Sequence, residues 1–225
     1  MNPVFPGFLY ETKPACVIVG AGCFDGRMLP PAEDDLVIAA DGGYAHLKQA
    51  GVRCDLLMGD LDSLSENIPA DTETRRFPPQ KDDTDTMLAV KYGMERGYRR
   101  FLLYGMFGGR FDHTAATIQT VLWIVNHGAE VLAFEVKTES MRGCYVTAVH
   151  NGTMTFPADA EGYLSVFTFG GEARGVTLEN LKYPLSDATL SPDIPLGVSN
   201  EFLRGQSARV TVRDGTLILI KPENN

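Results

Sequence analysis

Three short stretches of this chain concentrate carboxylates beside cations or glycines: Gly59-Asp60-Leu61-Asp62-Ser63, Lys81-Asp82-Asp83-Thr84-Asp85 and Gly108-Gly109-Arg110-Phe111-Asp112-His113. Carboxylate oxygens are hard ligands that suit Mg²⁺, whereas Lys and Arg donate to phosphate oxygens. Both sets in one cleft would hold a nucleotide together with its metal, a reading neither set supports alone.

Each cluster also has a plainer explanation. Asp60 and Asp62 follow the apolar run Leu56 to Met58, so a turn explains them as readily as a pair of i and i+2 carboxylates facing one site. Asp82 or Asp83 is a candidate helix N-cap and Asp85 a first-turn acid favoured by the helix dipole. Asp112 stands at a helix start in the same way. The paired glycines before Arg110 let backbone amides approach an anion, whereas a lone His near a helix start, such as His113, is more often a structural donor than a base.

The elements that must position these residues divide into two halves. Short apolar runs at Cys16 to Val19, Leu36 to Ala40, Leu56 to Met58, Phe101 to Tyr104 and Val131 to Val136 alternate with helical stripes, Met87, Val90, Met94 and Ile118, Val121, Leu122, Val125. This alternation predicts an α/β domain with a Rossmann-like parallel sheet over residues 1–140. The polar stretch Lys137 to Ser140, followed by Gly143, is the expected boundary. Residues 141–225 then read as an all-β domain, a small sandwich or barrel, with hairpins expected at Asn151-Gly152 and Asp214-Gly215 and a further strand at Tyr163 to Phe169.

Composition narrows the partners. A net charge of −9 opposes nucleic acid or an anionic membrane as the main partner, and 44% apolar content is ample for a packed core. Cys16, Cys23, Cys54 and Cys144 form no Cys-x-x-Cys pair, in keeping with free thiols in a cytoplasmic protein. No leader and no long apolar segment is apparent, so no membrane partner is expected. Gly20-Ala21-Gly22 continues to Gly26, which misses the dinucleotide fingerprint, and a phosphate-binding P-loop is absent from the sequence.

In order along the chain, Asp41-Gly42-Gly43 and the three clusters, followed by Leu181-Lys182-Tyr183-Pro184-Leu185 and Gly197-Val198-Ser199-Asn200-Glu201, resemble the motif series of thiamine pyrophosphokinases. The resemblance implies transfer of a pyrophosphoryl group from ATP to the thiamine hydroxyl, with release of AMP, a requirement for Mg²⁺, and a homodimer whose active sites are shared between subunits. It implies catalytic and metal-binding roles for Asp60, Asp62 and Asp85. ATP contacts would come from Asp41, Gly42, Gly43, Gln80, Lys81, Asp82, Thr84, Gly109, Arg110, Asp112 and His113, and thiamine contacts from Ser199 and Asn200. Two departures from the family pattern stand out: Thr114-Ala115-Ala116-Thr117 follows His113 where a Leu and then an Asn are usual, and Asn180 occupies a position where Gly is common.

The residues by themselves also admit a Mg²⁺-dependent phosphohydrolase acting on nucleotides, because Asp60-x-Asp62 resembles the start of the aspartyl-phosphate phosphatase pattern. Ser63-Leu64 then departs from that pattern. A non-catalytic nucleotide or thiamine sensor using the same cleft is the third reading.

Overall fold

The computed structural model describes residues 13–60, 68, 72–78, 82–135 and 143–223. They belong to two compact units, Lys13–Met141 and Arg142–Asn225.

In the first unit, six parallel strands stand in the order β6-β5-β1-β2-β3-β4. They are β1 (Cys16–Val19), β2 (Leu36–Ala40), β3 (Leu56–Gly59), β4 (Glu73–Arg76), β5 (Arg100–Tyr104) and β6 (Glu130–Glu135). Strands β1, β3 and β5 are buried along their whole length, which is why they read as continuous apolar runs rather than alternating ones. Strand β4 is the exception. Its Glu-Thr-Arg-Arg sequence is exposed throughout and carries no apolar signal, so only its pairing with β3 makes it a strand.

Among the described residues three helices pack on this sheet: α1 (Gly43–Ala50), α2 (Asp85–Glu95) and α3 (Phe111–Asn126). Helix α1 ends at Gly51, whose φ of 66° gives the left-handed cap that a glycine adopts without cost. Helix α2 begins at an N-cap that is Thr84, not Asp82 or Asp83: its Oγ1 accepts from the Met87 N–H at 3.2 Å. Asp83 is engaged elsewhere, paired with Lys91 at 2.6 Å. Close packing explains Gly43, where a Cβ would lie 1.8 Å from the Val19 carbonyl oxygen, so the first turn of α1 can sit against the end of β1 only without a side chain.

The second unit is made of two antiparallel sheets, β12-β9-β14-β7 and β11-β10-β13-β8. The strands are β7 (Cys144–His150), β8 (Thr153–Phe156), β9 (Tyr163–Phe167), β10 (Ala173–Glu179), β11 (Leu185–Leu190), β12 (Gly197–Glu201), β13 (Ala208–Thr211) and β14 (Thr216–Pro222). Both expected hairpins are corrected here. Strand β7 pairs with β14 while β8 pairs with β13, so Asn151-Gly152 and Asp214-Gly215 carry the chain from one sheet to the other. The corners support each other: Asn151 N–H donates to the Gly215 carbonyl at 3.1 Å, and Gly215 N–H donates to Asn151 Oδ1 at 2.8 Å. An Asn-Gly or Asp-Gly pair reports a tight turn, and the strands flanking it need not be each other's partners.

No helix among the described residues is long and apolar enough to cross a membrane.

Candidate active site

In the first unit the chain runs outward from β1 through β2 and β3 to β4, then returns to place β5 on the other side of β1. The gap beyond the ends of β1 and β5 is therefore the switch point at which open α/β sheets hold ligands. A cleft of about 220 Å³ lies there, lined by Gly20, Ala21 and Gly22 after β1, Met106, Gly109 and Arg110 after β5, Thr84 and Thr86 at the start of α2, and His113 and Thr117 on α3.

The glycines after β1 are in the cleft although their spacing fails the dinucleotide template. Their function is close approach. Gly20 N–H donates to the Tyr104 carbonyl at 2.8 Å and Gly22 N–H to the Gly105 carbonyl at 2.7 Å, so the two loops continue side by side past the strand ends. A Cβ on Gly22 would stand 2.5 Å from the Phe107 carbonyl oxygen. His46 of α1 ties the same loop from behind, with its Nε2 2.8 Å from the Gly22 carbonyl oxygen.

Of the residues named from sequence, Thr84, Gly109, Arg110 and His113 line the cleft. Arg110 forms a two-pronged pair with Asp112, Nε to Oδ1 at 3.1 Å and a terminal nitrogen to Oδ2 at 2.5 Å. Both side chains are exposed, and the guanidinium pulls the Asp112 carboxyl below its ordinary pKa. In this pairing the Arg110 fork already holds an anion-shaped partner. Thr117 donates to the Met106 and His113 carbonyls, at 3.2 and 2.9 Å, so within the departure from the family pattern this hydroxyl faces the chain's own backbone.

The acidic residues are arranged along the same edge of the sheet. Asp41 follows β2, Asp60 follows β3, and Asp85 is the first residue of α2. Asp41 has φ 51°, uncommon for a residue with a side chain, and Gly42 and Gly43 lead from it into α1. Asp82 is exposed just ahead of α2. Asp62, Gln80 and Lys81 lie outside the described residues. Among the described residues no three His, Cys, Asp or Glu side chains form a metal-holding group, and the proposed third carboxylate, Asp62, is not one of them.

In the second unit, Ser199 and Asn200 lie on β12 beside β9, where a register shift between Gly197 and Asn200 gives Ser199 a φ of 56°. Ser199 is exposed and its N–H donates to Ser165 Oγ at 3.0 Å. Asn200 is only 3% exposed. Asn180 also has a left-handed backbone, φ 56°, and its side-chain amide donates to the Ser207 carbonyl at 2.8 Å. That accounts for an Asn where the related pattern favours Gly, since both tolerate this conformation.

Two family models match this chain, the thiamin pyrophosphokinase catalytic domain over residues 31–133 and the thiamin pyrophosphokinase vitamin B1 binding domain over residues 153–217. The chain belongs to the thiamin pyrophosphokinase family. Its activity is thiamine pyrophosphokinase activity, transfer of a pyrophosphoryl group from ATP to thiamine.

A thiamine pyrophosphokinase of Bacillus subtilis (strain 168) is 25% identical over 195 residues, which take in 84% of this chain and 88% of that protein. Among solved structures, thiamin pyrophosphokinase from Geobacillus thermodenitrificans is 26% identical with a TM-score of 0.73, covering 94% of this chain and 98% of its own. The Bacillus subtilis crystal structure has a TM-score of 0.79 at 24% identity, over 94% of this chain and all of its own, a likeness of fold.

Proposed function

We propose that the chain performs this transfer with Mg²⁺ as its metal, on the cleft beyond β1 and β5. The α/β domain of residues 1–140, Rossmann-like in its winding, would bind ATP, and the domain of residues 141–225, its two sheets forming a sandwich, would hold thiamine. The observation that carries this reading is the arrangement of the cleft: glycine-paired loops, an arginine fork and two helix starts meet at the switch point, with Asp41, Asp60 and Asp85 along the same edge of the sheet.

Carboxylates from successive strand ends are a donor set that fits a hard divalent cation. Asp60, Asp62 and Asp85 would hold it. When bound, such an ion supplies charge neutralisation to the polyphosphate. Arg110 and Lys81 would grip phosphate oxygens, with Gln80 beside them. Asp41, Gly42, Gly43, Asp82, Thr84, Gly109, Asp112 and His113 would shape the nucleotide subsite.

The thiamine hydroxyl oxygen attacks the β-phosphorus of ATP, its proton passing to one of the carboxylates. The bond from that phosphorus to the bridging oxygen breaks, and AMP leaves with the bridging oxygen. Alignment and charge neutralisation supply most of the barrier reduction, because a phosphoryl group in flight needs little covalent help. Ser199 and Asn200 mark the thiamine subsite, and the acidic character of the chain suits the thiazolium cation.

A homodimer with shared active sites and a cytoplasmic location complete the proposal. Among the described residues Cys16, Cys23, Cys54 and Cys144 form no disulfide.

The test is a single incubation of purified protein with ATP, Mg²⁺ and thiamine. Equal amounts of AMP and thiamine pyrophosphate are expected. Thiamine-independent phosphate release would favour a phosphohydrolase instead, and binding without turnover a sensor. Asp60→Asn and Asp85→Asn variants with full activity would overturn the metal assignment.

A further inference from the structure

The two C-terminal motifs are knitted together by one side chain. Asn200 Oδ1 accepts from the Tyr183 N–H at 2.9 Å and from the Glu201 N–H at 2.9 Å, while Asn200 Nδ2 donates to the Tyr183 carbonyl at 2.8 Å. Both oxygen lone pairs and one of two amide hydrogens are thereby spent on backbone, in a side chain that is almost wholly buried. Around this contact Lys182 N–H donates to the Glu201 carbonyl at 2.9 Å, Lys182 Nζ pairs with Glu201 at 2.7 Å, and Leu181 bridges to Phe202.

The neighbours of Asn200 have the opposite character. Ser199 is exposed, its hydroxyl has no partner among the described residues, and its left-handed backbone is a strain of the kind that gathers at functional sites. Tyr183 is 58% exposed. Asn200 thus spends its hydrogen-bonding capacity fixing where Tyr183 and Ser199 stand.

We infer that Asn200 is a positioning residue of the thiamine subsite: it clamps the Leu181–Pro184 segment against β12 so that Tyr183 and Ser199 present the surface that thiamine meets, and it does not itself touch the substrate. This rests on the thiamine reading given above. It assigns recognition of the aminopyrimidine to groups flanking Asn200 and gives a physical reason why the two motifs occur together.

A mutant-by-analogue cycle tests it, using thiamine and an analogue lacking the exocyclic amine on its pyrimidine. Asn200→Ala is expected to raise the KM for thiamine about tenfold or more while the KM for ATP holds, the cost of a loosened site with buried backbone groups left unpaired. The fold-penalty for the analogue should shrink in Asn200→Ala and in Ser199→Ala or Tyr183→Ala alike, because a positioning residue is coupled to the groups it holds in place. A penalty that vanishes in Asn200→Ala but is untouched in both Ser199→Ala and Tyr183→Ala would show direct contact by Asn200 and overturn the proposal. Asn200→Asp keeps both acceptor contacts but turns a buried carboxylate oxygen toward the Tyr183 carbonyl, so it should raise the KM for thiamine at least as far as Asn200→Ala; the exposed-site variant Ser199→Ala serves if neither folds. Amide exchange at Tyr183 should quicken in both Asn200 variants, and unchanged exchange there would also overturn the clamp. An unaltered protein that neither binds nor turns over thiamine would remove the subsite reading and this inference with it, while exchange at Tyr183 would still report the clamp separately.

Discussion

Gly59 and Asp41 meet backbone to backbone: a Cβ built on Gly59 would lie 3.1 Å from the Asp41 Cα and 3.3 Å from its Cβ. The Asp41 N–H donates to the Met58 carbonyl at 2.7 Å, so the ends of β2 and β3 are drawn together immediately before Asp60. With φ at 155°, Gly59 also holds a conformation that a side chain strains.

Gly59→Ala should therefore separate Asp41 from the Asp60 loop. A stability loss of about 1–3 kcal/mol is expected from the backbone alone. The fall in kcat/KM should exceed tenfold, about 1.4 kcal/mol, because carboxylates at that edge are displaced from their working geometry. Thermal unfolding and steady-state kinetics on the same preparation separate the two effects.

Arg110 should matter in proportion to its fork. Arg110→Ala is expected to raise the KM for ATP by about tenfold or more, and Arg110→Lys, which keeps charge but not the planar pair of donors, by less. Asp112→Ala leaves the guanidinium unsupported and should have the smallest effect of the three. Titration of ATP at fixed thiamine gives the ranking, and a lysine variant equal to the unaltered protein would reduce Arg110 to a simple charge.

Thr84 has two roles, capping α2 and lining the cleft. Thr84→Ala should cost about 1 kcal/mol of stability through the lost cap, and Thr84→Ser should restore most of it. Chemical denaturation measures the stability. If serine restores stability but not the KM for ATP, the methyl group contributes to the cleft wall.

The buried thiols give a pH dependence with a definite sign. Burial pushes Cys54 from 9.0 up to about 11 and raises Cys16 further still, so the folded chain holds these protons more tightly than the unfolded chain does. Their contribution to stability is complete below the ordinary thiol value of 9.0 and is lost as pH rises through about 11. The denaturation midpoint should fall between about pH 8 and about pH 10.5, and Cys54→Ala should flatten that fall.

Sequence patterns made the parallel sheet readable because β1, β2, β3, β5 and β6 are apolar nearly throughout, as strands covered on both faces must be. Strand β4 left no such trace, since Glu73 to Arg76 are exposed and their β structure comes from pairing alone. In the second unit, strand positions followed from alternation, but turn chemistry does not encode partners. Asn151-Gly152 and Asp214-Gly215 therefore looked like hairpins and are corners. At the cleft, Arg110 and His113 were visible as chemistry-bearing residues, whereas Gly20 and Gly22 failed a ligand template because their task is backbone packing. Thr86 and Met106 gave no signal at all: a lone Thr in a helix and a Met after a strand are ordinary until the fold brings them to one place.

The position of β1 between β2 and β5 bears on how the chain matures. Its contacts with β2 become available early in synthesis, but the edge that β5 will cover stays bare until residues 100–104 have emerged from the ribosome. A bare, wholly apolar strand edge is a template for mispairing. Nascent chains stalled ahead of β5 should thus depend on chaperones, and no truncated product ending there can form the cleft, because the wall that follows β5 has yet to be translated.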